Sequence, residues 1–571
     1  MSTFTGLNTM VRGIYMNQLS LNTVGHNIVN AGTVGYSRQF AAPVATQPEH
    51  RAGITTGIEV GTGVAAMSLT RSRDTYADYQ FRKESCTQNY YETMATSFDE
   101  IESIFNDATN TGVADAISEV WKAWSALSTE GPTPANRTTV VEKSKILSDV
   151  IQTTAAHLQD QINDEYDQLR TNVQHVDDML GRMAEVNKAI VASEADGSSA
   201  NDLRDQRDVI ADDLAKYFNL SITENDLGAY QVVTDGCVLV NGFERLHLDF
   251  DEQGLSTSLF GADYGLNDHN INIRESNQVY VPTNGILKAH YDAIEECKQQ
   301  MDVLANMAAF MMTTLNDQHA AGYDMNGEFG RNFFGVTDYK YEYGYDPVKL
   351  CNYVNVTDDQ GVTTQVSGIK IINALNVNAD FDQVGGYKFL AAATAYRDFD
   401  DNQEWITYTT DTDLDKNKIA WGNRTGDGTN AVYISELFNM PYDTIVEKGR
   451  VNAAIIQKYT QKDNKGNEIL DSEGNPKYIT ALGLNSINAY YDNAMTQIGV
   501  DAASIDTNIA QHDIIMTQIE NWRDSVSGVD WNEELTDMIK YQKAYGSCAR
   551  CLSAMDECLE RLVNNTGMVG R

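Results

Sequence analysis

Residues 4–28, FTGLNTMVRGIYMNQLSLNTVGHNI, decide the architecture. Phe4, Leu7, Val11, Ile14, Gln18, Leu21, Gly25 and Ile28 recur in steps of three and four. That spacing gathers them on one stripe of a helix, the pattern of a coiled-coil seam. At the other end of the chain Leu535, Met538, Gln542, Tyr545, Ala549, Leu552, Asp556, Leu559 and Val563 repeat it. Each stripe carries a Gln among its apolar residues, a polar seam position that costs stability and fixes register and oligomeric state. Asp530 is a good N-cap for the second stripe, and Glu533, three residues on, completes a capping-box-like arrangement. Between Trp531 and Val563 there is no Pro and a single Gly, Gly546, which predicts a helix of about 50 Å. The two arms predict termini that pair with each other and with neighbouring copies.

Working inward, the first arm runs into His26-Asn27-Ile28-Val29-Asn30-Ala31-Gly32-Thr33-Val34-Gly35-Tyr36-Ser37-Arg38-Gln39. The last is preceded by Ser527-Gly528-Val529-Asp530 and contains Glu533-Glu534-Leu535 and Tyr541-Gln542-Lys543-Ala544-Tyr545. These segments resemble the bacterial flagellar rod, hook and hook-associated axial proteins. Asn201-Asp202-Leu203-Arg204-Asp205-Gln206-Arg207-Asp208, and Leu315-Asn316 followed by His319, Gly322 and Asp324, narrow the resemblance to the hook-associated protein 1 (FlgK) family. His26, Gly32 and Val34 stand where that family usually has Asn, a polar residue and Pro. The matching segments cover roughly the first 335 and last 70 residues, in order.

Between the arms, periodicity predicts an elongated bundle. Val113, Ala116, Ile117, Val120, Trp121, Trp124 and Leu127 form one apolar face, which Gly131-Pro132-Thr133-Pro134 ends. A helix from about Arg137 to Ala195 follows, spanning about 80 Å, too long for a compact domain. A second, Leu203 to Phe218, carries Asp205, Arg207 and Asp208, whose alternating charge reads as a solvated, salt-bridged face. Strand-like Tyr230–Val233 and Val238–Val240 flank Thr234-Asp235-Gly236, a hairpin signal. Helices are expected again over 286–315 and 501–526. Residues 336–500 are rich in Asn, Asp, Gly, Thr and Tyr and read as an outward β-rich insertion. The expected fold is therefore α+β and multidomain. It comprises a terminal helical coiled-coil domain (1–70 plus 527–571), an elongated helical bundle with a β-hairpin element (71–335 plus 501–526), and the β-rich outer insertion (336–500).

The balance of 42 basic and 81 acidic residues, net −39, excludes nucleic acid and anionic bilayers as partners, because phosphates would meet no neutralising surface. No run of about 18 apolar residues predicts a membrane span, and the first residues lack the basic and apolar regions of a secretory signal. Seven scattered cysteines do not form a disulfide framework. Cys548 and Cys551 have redox-motif spacing but fall within a predicted helix, where packing is the expected role. Asp411-Thr412-Asp413-Leu414-Asp415 begins like a calcium loop, yet Lys416 and Gly422 occupy the positions that need Gly and Glu. His26, His319 and His512 are isolated. No catalytic, metal or cofactor site is expected, and the chain is read as a structural protein, not an enzyme.

The expected assembly interface is Leu7, Val11, Ile14, Leu21 and Ile28 with Leu535, Met538, Tyr545, Leu552 and Leu559. The resemblance implies a homo-oligomer in the flagellar axis at the hook–filament junction, exported through the flagellar type III apparatus. Implied partners are hook protein, a second junction protein of the hook-associated protein 3 type, and a cytoplasmic export chaperone. The implied location is extracellular, with a transient cytoplasmic stage. The competing readings are a hook or distal rod protein, and a secreted acidic adhesin or enzyme acting through residues 336–500.

Overall fold

The computed structural model describes residues 3–51, 58–105, 112–394, 397–399, 405–407, 427–448, 455–460 and 476–565. The 411–415 acidic segment lies outside the described residues. Helix α1 (Thr3–Asn30) leads into a long hairpin made of β1 (Gln39–Ala45), β2 (Glu49–Arg51), β3 (Ile58–Val60) and β4 (Val64–Arg71). β1 pairs with β4 and β2 with β3, both antiparallel. The last helix, here α12 (Trp531–Asn565), lies along α1.

The body is built on α2 (Thr75–Phe105), α3 (Val113–Thr129), α4 (Pro134–Ser193), α5 (Asn201–Tyr217), α6 (Ile286–Phe310) and α11 (Ile487–Ser527). Asp74 caps α2 through the Tyr76 and Ala77 amides. Thr133 caps α4 through the Asn136 amide, with Pro134 in the first turn, where its missing N–H costs nothing. With 60 residues, α4 runs about 90 Å. Its stripe Leu147, Ile151, Leu158, Leu169, Val176, Leu180, Met183 and Ile190 is fully buried against α3, α5 and α6. β5 (Leu220–Glu224), β6 (Tyr230–Thr234), β7 (Cys237–Asn241) and β8 (Glu244–Arg245) form an antiparallel sheet whose Val232, Leu239 and Val240 enter the same core. The expected hairpin turn is there, with Asp235 and Gly236 both at positive φ.

Two expectations are corrected. The boundary placed between residues 500 and 501 falls inside α11, which starts at Ile487 under a Ser486 cap and runs through Gly499. The 336–500 segment is neither predominantly β nor peripheral where it is described. A three-stranded sheet (340–346, 351–357, 363–367) is followed by α8 (Ile369–Ala374), α9 (Thr429–Asn439) and α10 (Tyr442–Glu447). Ile369, Ile371, Ile372, Leu375, Ile434, Leu437 and Phe438 are buried in one apolar cluster with α3, α4 and α6. The reason is composition at the attachment points, where short apolar runs sit among the polar turns and complete the end of the bundle.

Candidate functional site: the junction of the terminal helices with the body

The terminal helices contribute little to that core. On α1 the fully buried apolar side chains are Met16 and Val24, worth together about 3–6 kcal/mol. Polar groups do the rest. α1 and α12 run antiparallel, with Gly6 against Met555, Gly13 against Cys548, and Asn27 bonded to Glu534. A Cβ on Gly13 would stand 3.1 Å from the Cys548 sulfur, so a bare backbone is what lets the helices approach there. The opposite flank of α1 faces the hairpin, where Arg12 reaches Thr46 and Thr62.

At the end of α1 the chain makes a polar latch. Asn27 is buried; its Nδ2 donates to the Gln39 carbonyl and Glu534, and its Oδ1 accepts from the Gln39 amide and the Tyr36 hydroxyl. Arg38 forms ion pairs with Glu534 at 2.6 Å and Glu533 at 3.0 Å, while its amide donates to the Ser527 carbonyl. Burial would lower the Arg38 pKa; Glu534 and Glu533 more than reverse this and raise it. Gln39 bonds Asp202 and Asn201 on α5. Burial, then Asp202, Asp205 and Glu534, push the Tyr36 hydroxyl up, so it stays a neutral donor. Asp530 caps α12 through the Asn532 and Glu533 amides.

The turn that makes this possible rests on Gly35. Its φ is +77°, and a Cβ there would lie 2.1 Å from Val209 Cγ2 on α5. Clefts of about 570 and 580 Å³ flank the 30–36 turn, and Val34 at its tip is 87% exposed.

Behind the latch lies a buried ionic cluster of four arginines and four aspartates. Arg71 bonds Asp205 at 2.7 Å and Asp208 at 2.9 Å. Arg73 bonds Asp78 at 2.7 Å and the Ser37 hydroxyl at 3.0 Å. Arg82 bonds Asp212 at 2.7 Å and lies 3.4 Å from Asp208. Arg523, at the end of α11, holds Asp78 at 2.9 Å and also Asp212. Ser37 closes the circle by donating both its amide and its hydroxyl to Asp205. Burial alone would raise the Asp208 carboxyl; Arg73, Arg71 and Arg82 instead bring it to about 2. The face expected to be solvated and salt-bridged at Asp205 and Asp208 is salt-bridged but buried, because its cations arrive from β4, from the turn after it and from α2. Arg207 is also fully buried, its guanidinium 3.3 Å from the Tyr230 ring centre.

A second polar junction ties the inserted segment to the end of α6. The helix widens through a π turn (Met311–Leu315) into α7 (Asn316–Ala320). The buried Asn316 Oδ1 accepts from the Phe333 and Phe334 amides. Gln318 donates to Asn430, and Asn430 donates to the Ala391 carbonyl. His319 is bonded through both ring nitrogens, to Arg331 and to Ala391.

The resemblance segments at 26–39, 201–208, 527–534 and 315–324 therefore fall in these two junctions. Comparison with known proteins agrees. Residues 98–334 match the family described as Flagellar hook-associated protein FlgK helical domain, and residues 524–565 match Flagellar basal body rod FlgEFG protein C-terminal. The chain is 23% identical to Flagellar hook-associated protein 1 of Bacillus subtilis (strain 168) over the full length of both. It is 24% identical to that of Escherichia coli (strain K12), covering 98% of this chain and 99% of the other.

Along its whole length the chain is similar to flagellar hook-associated protein 1.

The hook junction protein FlgK of Burkholderia pseudomallei has a similar fold, with a TM-score of 0.52 at 13% identity, over 79% of this chain and all of the other. Among the described residues no group of three or more His, Cys, Asp and Glu is placed to hold a metal, and no helix is long and apolar enough to cross a membrane.

The expected interface residues are only partly covered in the single chain. Leu7, Val11, Ile14, Leu21 and Ile28 are half-buried, as are Met538, Leu552 and Leu559. Leu535 and Tyr545 are exposed, at 45% and 38%. At 100° per residue, the α1 stripe sits about a quarter turn from Gly6, Gly13 and Asn27, which meet α12. Apolar periodicity could not reveal those close approaches, since glycine and asparagine carry no hydrophobic signal. The close approach of two glycines seven residues apart was the signal available.

Proposed function

We propose that this chain is a structural protein of the bacterial flagellum that joins the hook to the filament. The observation that carries this reading is the end-to-end match to flagellar hook-associated protein 1, whose motifs here form the buried junction between terminal helices and body. The mechanism is mechanical. The latch and ionic cluster hold the paired terminal helices at a set angle to the bundle. The stripes Leu7, Val11, Ile14, Leu21, Ile28 and Leu535, Met538, Tyr545, Leu552, Leu559, left partly open in the single chain, then bury against neighbouring copies. Such heterologous contacts generate an open helical array when the rotation does not close. Hook protein lies on one side and a hook-associated protein 3 type junction protein on the other. The chain reaches this extracellular site by flagellar export, after a cytoplasmic stage with a chaperone.

Cells lacking the gene should carry hooks with no filaments and shed filament protein into the medium, as seen by electron microscopy and blotting. Loss of the hooks themselves would instead favour the hook or distal rod reading. Normal flagella with lost surface attachment would favour an adhesin.

A further inference from the structure

His319 is fully buried and has no ordinary freedom. The Ala391 amide donates to its Nε2 at 2.8 Å, so Nε2 carries no proton. The remaining ring hydrogen is on Nδ1 and is donated to the Arg331 carbonyl at 2.5 Å. One neutral imidazole thus clamps two loops that are far apart in sequence onto α7. A second proton would sit on Nε2 and point at the Ala391 N–H, donor against donor, and this bond would have to break.

Nothing nearby compensates such a proton. Arg137 on α4 donates to the Leu390 and Pro132 carbonyls, and Arg331 pairs with Asp380 at 2.6 Å. Asp324 faces Arg137. The neighbours in ring contact, Trp124 of α3, Phe333 and Phe381, are uncharged. From α9, Asn430 contributes only amide bonds, to Gln318 and Ala391.

We propose that protonation of His319 is a built-in release. It frees residues 322–334 and 389–393 from α7 and α4 while the bundle around α4 stays folded. Burial, with Arg137 and Arg331, holds the imidazole down at about 4 in the closed state. In the released state it returns to its ordinary 6.5. A depressed histidine favours the closed state above 6.5, and that advantage is lost as pH falls through 4. The open population should rise about 100-fold between pH 7 and pH 4. Burial raises Asp317 and Asp324, which act in the opposite sense. The histidine contribution is therefore read as a difference from His319→Gln, whose amide can donate and accept but cannot titrate.

The experiment is hydrogen exchange of the full chain from pH 7 to pH 4, corrected for intrinsic rates. Amides in 322–334 and 389–393 should lose protection as pH falls in the wild type relative to H319Q, in which Asp317 and Asp324 keep or add protection, and those of 140–185 should not change. The same pH dependence in wild type and H319Q would overturn the proposal. If H319Q does not fold, NMR titration of the wild-type ring decides. A neutral Nδ1–H ring down to about pH 4.5 supports the proposal, and a ring titrating near its ordinary 6.5 with both loops still protected refutes it.

Discussion

Asp208→Asn should lower the unfolding free energy by about 2–5 kcal/mol in urea or thermal melts at neutral pH. Asn keeps the shape and removes the charge, leaving Arg71, Arg73 and Arg82 facing one carboxylate fewer in a buried site. The lower figure follows from the carboxyl's pKa of about 2 against an ordinary 3.8, a difference worth about 2 kcal/mol. The upper figure is the cost of stranding buried charge. The pH dependence provides an internal check. A depressed carboxylate stabilises the fold above its unfolded pKa, and the contribution is lost as pH falls from 3.8 through 2. Wild type should therefore lose stability over that window more steeply than D208N, and the two should converge at the acid end. A variant as stable as wild type at pH 7 would mean that the cluster does not hold the body and terminal helices together.

Gly35→Val should cost about 3 kcal/mol or more and unseat the latch. Two effects add. A β-branched residue at φ +77° is strained, and its Cβ would overlap Val209 on α5. Because Ser37 and Arg38 follow directly, the shift should break the Ser37–Asp205 and Arg38–Glu534 bonds. Hydrogen exchange should then rise in α1 and at the start of α12, while α4 keeps its protection. Adding Val209→Ala should recover only the overlap part, since the backbone strain remains. Full recovery would show that positive φ is unimportant at this turn, and no loss in G35V would remove the turn from the account.

The sequence is most legible where periodicity is long. The α4 stripe from Leu147 to Ile190 and the α3 face from Val113 to Leu127 follow the apolar spacing because those residues enter one core. The ionic cluster was hidden for the converse reason. Alternating Asp and Arg over 202–208 is the same string whether a helix face meets water or three arginines, and Arg71, Arg73 and Arg82 lie far away along the chain. Pairing of the two terminal helices was legible in their matched stripes, but the close approaches of Gly6 to Met555 and Gly13 to Cys548 and the Asn27–Glu534 bond were not, since glycine and asparagine carry no apolar signal. The inserted segment misled because its polar turns outnumber Ile369, Ile372, Leu437 and Phe438, the few residues that dock it.

Electron cryo-microscopy of hook–filament junctions from motile cells tests the central claim most directly. The account predicts this chain as a layer between hook and filament. Its α1 and α12 should be paired innermost, the Asn27–Arg38–Glu534 latch intact, and the Leu7–Ile28 and Leu535–Leu559 stripes buried against neighbouring copies. Absence of the chain from the junction, or terminal helices separated from each other with those stripes still open to solvent, would contradict it.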